Sequence, residues 1–104
     1  MKTLIKGGNV VTATDSYTAD VLIEGAIVSQ IGADLSSIAV EKTIDAKGKY
    51  VIPGGIDTHT HLDMPFMGAS SVDDFQTGTI AAAFGCTTSI VDFAIQERGS
   101  TLRQ

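Results

Sequence analysis

Two histidines, His59 and His61, stand one residue apart in "PGGIDTHTHLDMPF", residues 53–66, with Asp57 and Asp63 on either side. In an extended segment, side chains at i and i+2 share a face, with about 6.5–7 Å between their Cα atoms. Two imidazoles so placed can tilt toward one cation, each nitrogen at about 2.0–2.1 Å from zinc. Asp57, two residues before His59, falls on the same face and is positioned to hold an imidazole by a hydrogen bond that fixes its tautomer. A bare His-X-His also suits surface or hydrogen-bonded core histidines. The Pro-Gly-Gly lead-in, the aliphatic Ile56, the aspartate at i−2 and a helix signal downstream favour the metal. The other chemistry-bearing residues read more plainly. Cys86 is expected to be a small buried filler beside Gly85, and Asp92 a hydrogen-bonded structural carboxylate. Asp63 suits a strand-end cap or a partner to a ligand, and Ser70-Ser71 a capping signal with no base at a readable distance.

Those side chains need elements to hold them. Ile56 to Leu62 reads as a strand, ended near Asp63 or Met64 by Pro65. At the carboxyl end of a strand in a parallel barrel, residues face the reaction space, which puts both histidines near the rim. Ser71 and Asp74 have capping-box spacing and predict a helix starting near Val72 or Asp73. It runs through Phe75, Thr79, Ile80, Ala82, Ala83 and Phe84 as a broad apolar face and stops at Gly85. "TTSIVDFAI", Thr87 to Ile95, is an apolar strand of the type buried on both faces in parallel sheets. Strand, helix and strand make one βαβ unit. Gly54, Gly55 and Gly78 serve backbone geometry and close packing.

Before Pro53 the pattern is short strands. Leu4-Ile5, Val10-Val11, Val21 to Ile23, Ile27-Val28 and Ile31 are punctuated by Gly7-Gly8-Asn9 and Glu24-Gly25, and "DVLIEGAIVSQIG" predicts a tight hairpin. Ala33 to Lys42 reads as a connection; Thr43 to Ala46 and Tyr50 to Ile52 add two short strands. The half is expected to be a small antiparallel sheet with one buried face.

The bulk properties narrow the classes. A chain of 104 residues is far short of the ~250 of a closed (β/α)₈ barrel. At 43% hydrophobic and 18% charged it is a globular composition. The net charge of −5, with scattered Lys and Arg, argues against nucleic acid or an anionic membrane as partner. The longest purely apolar stretch, Ile80 to Phe84, is too short to span a bilayer, and Met1 to Asn9 has no signal-peptide core. One cysteine excludes an internal disulfide and fits a reducing compartment; the default expectation is cytoplasmic and soluble.

"VIPGGIDTHTHLDMPF" followed by "DDFQTGTIAAAFGCTTSIVDF" resembles the start of the metal-dependent amidohydrolase superfamily, and within it the D-hydantoinase/dihydropyrimidinase group. "LIKGGNVVTATDSYTADVLIEGAIVSQIG" and "IDAKGKYVIPGG" are similar to that group's N-terminal strands, so the resemblance covers essentially the whole chain. It implies a mixed β and α/β fold. Residues 1–52 are part of a small antiparallel β-sandwich domain, and 53–104 begin a TIM-like barrel with its first βαβ unit, incomplete here. It also implies a binuclear zinc hydrolase that opens cyclic amides or imides, hydantoins and dihydropyrimidines, by metal-activated water and a polarised carbonyl. His59 and His61 would bind the more buried metal. Leu62, Met64 and Phe66 would belong to the apolar loop that sorts the substrate's exocyclic group. A homo-oligomer, commonly a tetramer, is implied for the full-length enzyme.

The resemblance also requires a carboxylated lysine bridging the metals, two further histidines and a late aspartate. All five lysines, Lys2, Lys6, Lys42, Lys47 and Lys49, precede Gly55, and no histidine follows His61. Two imidazoles leave at least half of a tetrahedral shell unfilled. The expectation is therefore an N-terminal piece of such an enzyme, inactive alone and weak in metal binding. The alternative is a non-catalytic dihydropyrimidinase-like assembly or interaction protein; retention of both histidines speaks for the enzyme.

Overall fold

The computed structural model describes residues 1–96 and 98–102. The chain divides into two compact units, Met1–Pro53 and Gly54–Gln104.

In the first unit, β1 (Lys2–Val11) pairs antiparallel with β2 (Ser16–Glu24), and β2 with β3 (Ile27–Gly32). The β2–β3 hairpin closes over Gly25 and Ala26, with Gly25 at φ 62, as the Glu24-Gly25 signal predicts. The two apolar pairs of β1 are one continuous strand. Its Gly-Gly step does not break it but carries a bulge: Ile5 pairs with Val21 and Gly8 with Ala19, so Lys6 and Gly7 oppose Asp20 alone. Gly7 takes φ 69 there and donates its N–H to Asp20 Oδ1 at 2.8 Å.

The expectation of an antiparallel sheet is corrected on the other side of β1. There β4 (Lys42–Asp45) and β5 (Tyr50–Val51) both run parallel to it, making a mixed five-stranded sheet. The connection 33–41 carries the chain from β3 across to the far edge of β1 and returns it in β1's own direction. A parallel pair needs such a crossover, and no local pattern announces it. Nor is only one face buried. Leu4 and Leu22 pack with Leu35 of the connection, flanked by Ile38 and Val40. Val10, Ala19 and Val21 form a second cluster with Ile5, Ile23 and Val51. Adjacent pairs in the ladder, Leu4–Leu22 and Ile5–Val21, point to opposite faces, so the sheet is apolar on both.

In the second unit β6 (Gly55–Thr60) pairs parallel with β9 (Thr87–Asp92), joined through α1 (Phe75–Phe84) as the expected βαβ unit. Between β6 and α1 lies a small hairpin, β7 (Pro65–Phe66) and β8 (Ala69–Ser70). It turns at Met67 and Gly68, both at positive φ (49 and 84). The helix begins a few residues later than its Ser71–Asp74 spacing predicts. Asp74 is the N-cap: its Oδ1 accepts the Thr77 N–H at 2.7 Å, and Thr77 Oγ1 accepts the Asp74 N–H at 3.1 Å. The Thr77 N–H and, after it, the Thr77 hydroxyl, which donates to Oδ1 at 3.0 Å, hold the Asp74 carboxyl below its ordinary value. Gly85 ends the helix, but the left-handed residue is the next one, Cys86, at φ 63. Cys86 is exposed, not buried, and works through its backbone: its N–H donates to Ala83 O and its carbonyl accepts the Gly55 N–H at 2.8 Å.

Among the described residues every buried one lies in the first unit. The apolar residues of β6, α1 and β9 lie open, and the burial on both faces expected of β9 is not observed: Ile56 is 67% exposed, Phe84 89% and Val91 53%. No described helix is long and apolar enough to cross a membrane.

Candidate functional site

β6 delivers His59 from within the strand and His61 from just beyond its end. The pairing with β9 slips by one residue here, Asp57 facing Ile90 and Thr60 facing Asp92, so β6 bulges at Thr58-His59. Asp57 explains why the bulge holds. Its Oδ1 accepts the His59 backbone N–H at 3.0 Å, a local Asx bond. The sequence expectation gave this carboxylate to an imidazole, whereas its observed partner is the peptide.

The two imidazoles lie together, ring centroids 5.1 Å apart and planes at 84°. An ion held by one nitrogen of each ring at about 2.0–2.1 Å, with a tetrahedral angle between the bonds, requires centroids roughly 5 Å apart. The spacing therefore fits two imidazole donors on one cation. Among the described residues, no three His, Cys, Asp or Glu side chains gather as a metal-holding group, so the pair supplies half of a shell.

Phe93 completes the cluster. Its ring sits 4.8 Å from that of His59 and 4.9 Å from that of His61. Beside it opens a cavity of about 470 Å³ lined by His61, Met64, Ala69, Ser70, Ser71, Phe93 and Ile95. Of the three residues expected to sort a substrate group, Met64 lines this cavity. Leu62 does not: it packs against α1, where a Cβ on Gly78 would overlap Leu62 Cδ2 and come within 3.1 Å of Cδ1. His61 and Leu62, neighbours in an extended segment, point opposite ways. The side chain of Phe66 lies outside the described residues.

Three residues shape the loop that follows His61. Asp92 accepts the Leu62 N–H at 3.0 Å and the Phe93 N–H at 2.7 Å, in keeping with a structural carboxylate. Asp63, at φ 50, donates its N–H to Asp73 O at 2.9 Å. Ser71 Oγ accepts the Met64 N–H at 2.8 Å and donates to Asp73 O at 3.2 Å, which ties the β7–β8 hairpin to the start of α1. Sequence reasoning missed Phe93, Ile95, Ala69 and Ser70 as cavity residues. The one available signal was Phe93's place near the end of the apolar run Thr87 to Ile95, and using it required the β6–β9 register.

Comparison with known proteins agrees with this layout. Residues 42–101 match the model of the Amidohydrolase family. The D-hydantoinase of Geobacillus stearothermophilus is 55% identical over 104 residues, all of this chain and 22% of that protein. The dihydropyrimidinase of Rattus norvegicus is 52% identical over 103 residues, 95% of this chain and 20% of that protein. The crystal structure of dihydropyrimidinase from Brevibacillus agri NCHU1002 superposes with a TM-score of 0.91 at 57% identity, covering 97% of this chain and 22% of that one. The chain thus spans about a fifth of the length of the relatives it matches.

Proposed function

The chain belongs to the amidohydrolase family, in its D-hydantoinase/dihydropyrimidinase group, and from this we propose that it is the N-terminal part of a zinc-dependent cyclic amidohydrolase. Its reaction is hydrolysis of the ring amide C–N bond of hydantoins or dihydropyrimidines. The observation that carries the reading is the pair of imidazoles, 5.1 Å apart at the carboxyl end of β6 and beside a cavity.

In this reading His59 and His61 would hold a zinc ion, and Asp57 fixes the bulge at Thr58-His59 from which the first of them projects. When bound, zinc lowers the pKa of its water and polarises a carbonyl oxygen. Met64 and Phe93 give the cavity an apolar wall that shields the reacting amide from bulk water and meets the substrate's substituent. The remaining ligands, the carboxylated lysine among them, come from elements outside these 104 residues. Residues 1–52 belong to the small β-domain and 53–104 to the first turn of a barrel. Later strands and helices cover Ile56, Phe84 and Val91, which a βαβ unit alone leaves open.

A chimera tests this. With the present chain replacing the matching segment of the Geobacillus D-hydantoinase, hydantoin hydrolysis is expected at a rate within tenfold of the parent. His59→Asn with His61→Asn is expected to remove it by about 10³-fold or more, since metal-activated water is lost. A folded chimera that never turns over hydantoins, or one that keeps turnover without both imidazoles, overturns the reading.

A further inference from the structure

We infer that Asp92 is a positioning residue for His61, a carboxylate that sets the imidazole by holding the backbone on either side of the ring cluster. The inference rests on His61 being a ligand as proposed above. Past Thr60 the β6–β9 ladder has ended. Thr60 Oγ1 still reaches Val91 O at 3.1 Å, and one step further a side chain takes over, Asp92 Oδ2 receiving the Leu62 N–H at 3.0 Å. The peptide so held is the one between His61 and Leu62, from which one side chain turns to the cavity and the other to Gly78 of α1. Oδ1 receives the Phe93 N–H at 2.7 Å and so places the ring that lies 4.9 Å from His61. One carboxylate therefore fixes both the imidazole's own backbone and the surface the imidazole rests on. Both of its oxygens are engaged by backbone donors, which suits a clamp better than a ligand. Charge-assisted bonds of this kind are about twice as strong as neutral ones.

The test is made on the 104-residue chain by NMR. Phe93's ring current displaces the His61 ring protons from their unstructured positions. Asp92→Ala is expected to abolish at least half of that displacement, while His59, held through Asp57, keeps most of its own. Asp92→Asn, whose amide oxygen still accepts the Leu62 N–H while its NH₂ faces the Phe93 N–H, is expected to retain more of the His61 displacement than Asp92→Ala. The clamp is overturned if His61 is unmoved in Asp92→Ala with the β6–β9 amides intact. Should that variant unfold, Asp92→Asn decides: its neutral acceptor predicts Leu62 amide exchange about tenfold faster with the His59 amide unchanged, and an unchanged Leu62 rate refutes the clamp. Zinc chloride titration separates this from the functional reading. Zinc is expected to shift both histidines in the unmodified chain, with about tenfold weaker apparent affinity in Asp92→Ala. If zinc shifts neither histidine, the ligand role fails, and the ring displacements still judge the clamp.

Discussion

Asp20 is the one buried charged residue among those described, 3% exposed, and removing its carboxylate should unseat the first unit. Its two oxygens accept the Gly7 N–H at 2.8 Å, at the β1 bulge, and the Leu35 N–H at 2.9 Å, where the connection lies over Leu4 and Leu22. Hydrogen bonds to a charged group contribute about 1.5–3 kcal/mol each, and an orphaned buried donor costs about 1–3 kcal/mol. The Gly7 bond is only half-buried, so water recovers part of its loss. Asp20→Ala should then destabilise by about 2–4 kcal/mol, against a total of roughly 3–8 kcal/mol for a unit of this size. Asp20→Asn keeps one acceptor and sets an NH₂ against the second N–H, so its loss should fall below that of Ala but above zero. Both tyrosines, Tyr17 and Tyr50, lie in this unit and the chain has no Trp, so tyrosine fluorescence in urea reads this unit alone. With m near 1 kcal/mol/M, the midpoint should fall by about 2 M or more. A shift under about 0.5 M for Asp20→Ala at unchanged m would refute the bookkeeping of these two bonds.

Other perturbations address the second unit. Gly54→Ala puts a Cβ over Thr88 Cγ2 and Oγ1 and within 2.7 Å of its Cβ, which no rotamer relieves. It should destabilise the β6–β9 pair by about 1–3 kcal/mol, and Thr88→Gly in the same chain should restore the amide pattern seen by NMR. Asp74's carboxyl is held below its usual 3.8 by the Thr77 backbone N–H first and the Thr77 hydroxyl second. Its contribution to α1 is therefore complete above about pH 4 and lost as pH falls through the lowered value. Helical ellipticity should show that acid loss, and Asp74→Ala should lack it. The unmodified chain should bind zinc weakly and with a stoichiometry of at most one, since two imidazoles fill half a shell; two tightly held ions per monomer, by mass and metal analysis, would contradict this.

Much of the local architecture could be read in advance. Gly25 announced its hairpin, Gly85 the end of α1, and the i, i+2 spacing of His59 and His61 their common side. The failures share a cause. The helix start was misjudged because Ser71's hydroxyl is committed to Met64, seven residues back, leaving Asp74 and Thr77 to cap. Asp57 was assigned to a ring because nothing in the sequence declares a bulge, and at a bulge the nearest donor is a peptide N–H. Leu62 and Met64, placed together by resemblance, stand on either side of Asp63, whose φ of 50 interrupts the extended run, so Leu62 meets Gly78 while Met64 lines the cavity.

The sequence by itself determined the strand–helix–strand order, the tight turns and the pairing of two imidazoles on one side of an extended segment. Each follows from backbone periodicity and from what glycine, proline and aspartate permit within a few residues. Tertiary structure alone decided that β4 and β5 lie parallel to β1, that Phe93 abuts both histidines, and that Asp92 reaches Leu62 across thirty residues. Parallel pairing joins segments far apart in the chain, and its register is set by packing between strands, which no single strand's pattern encodes.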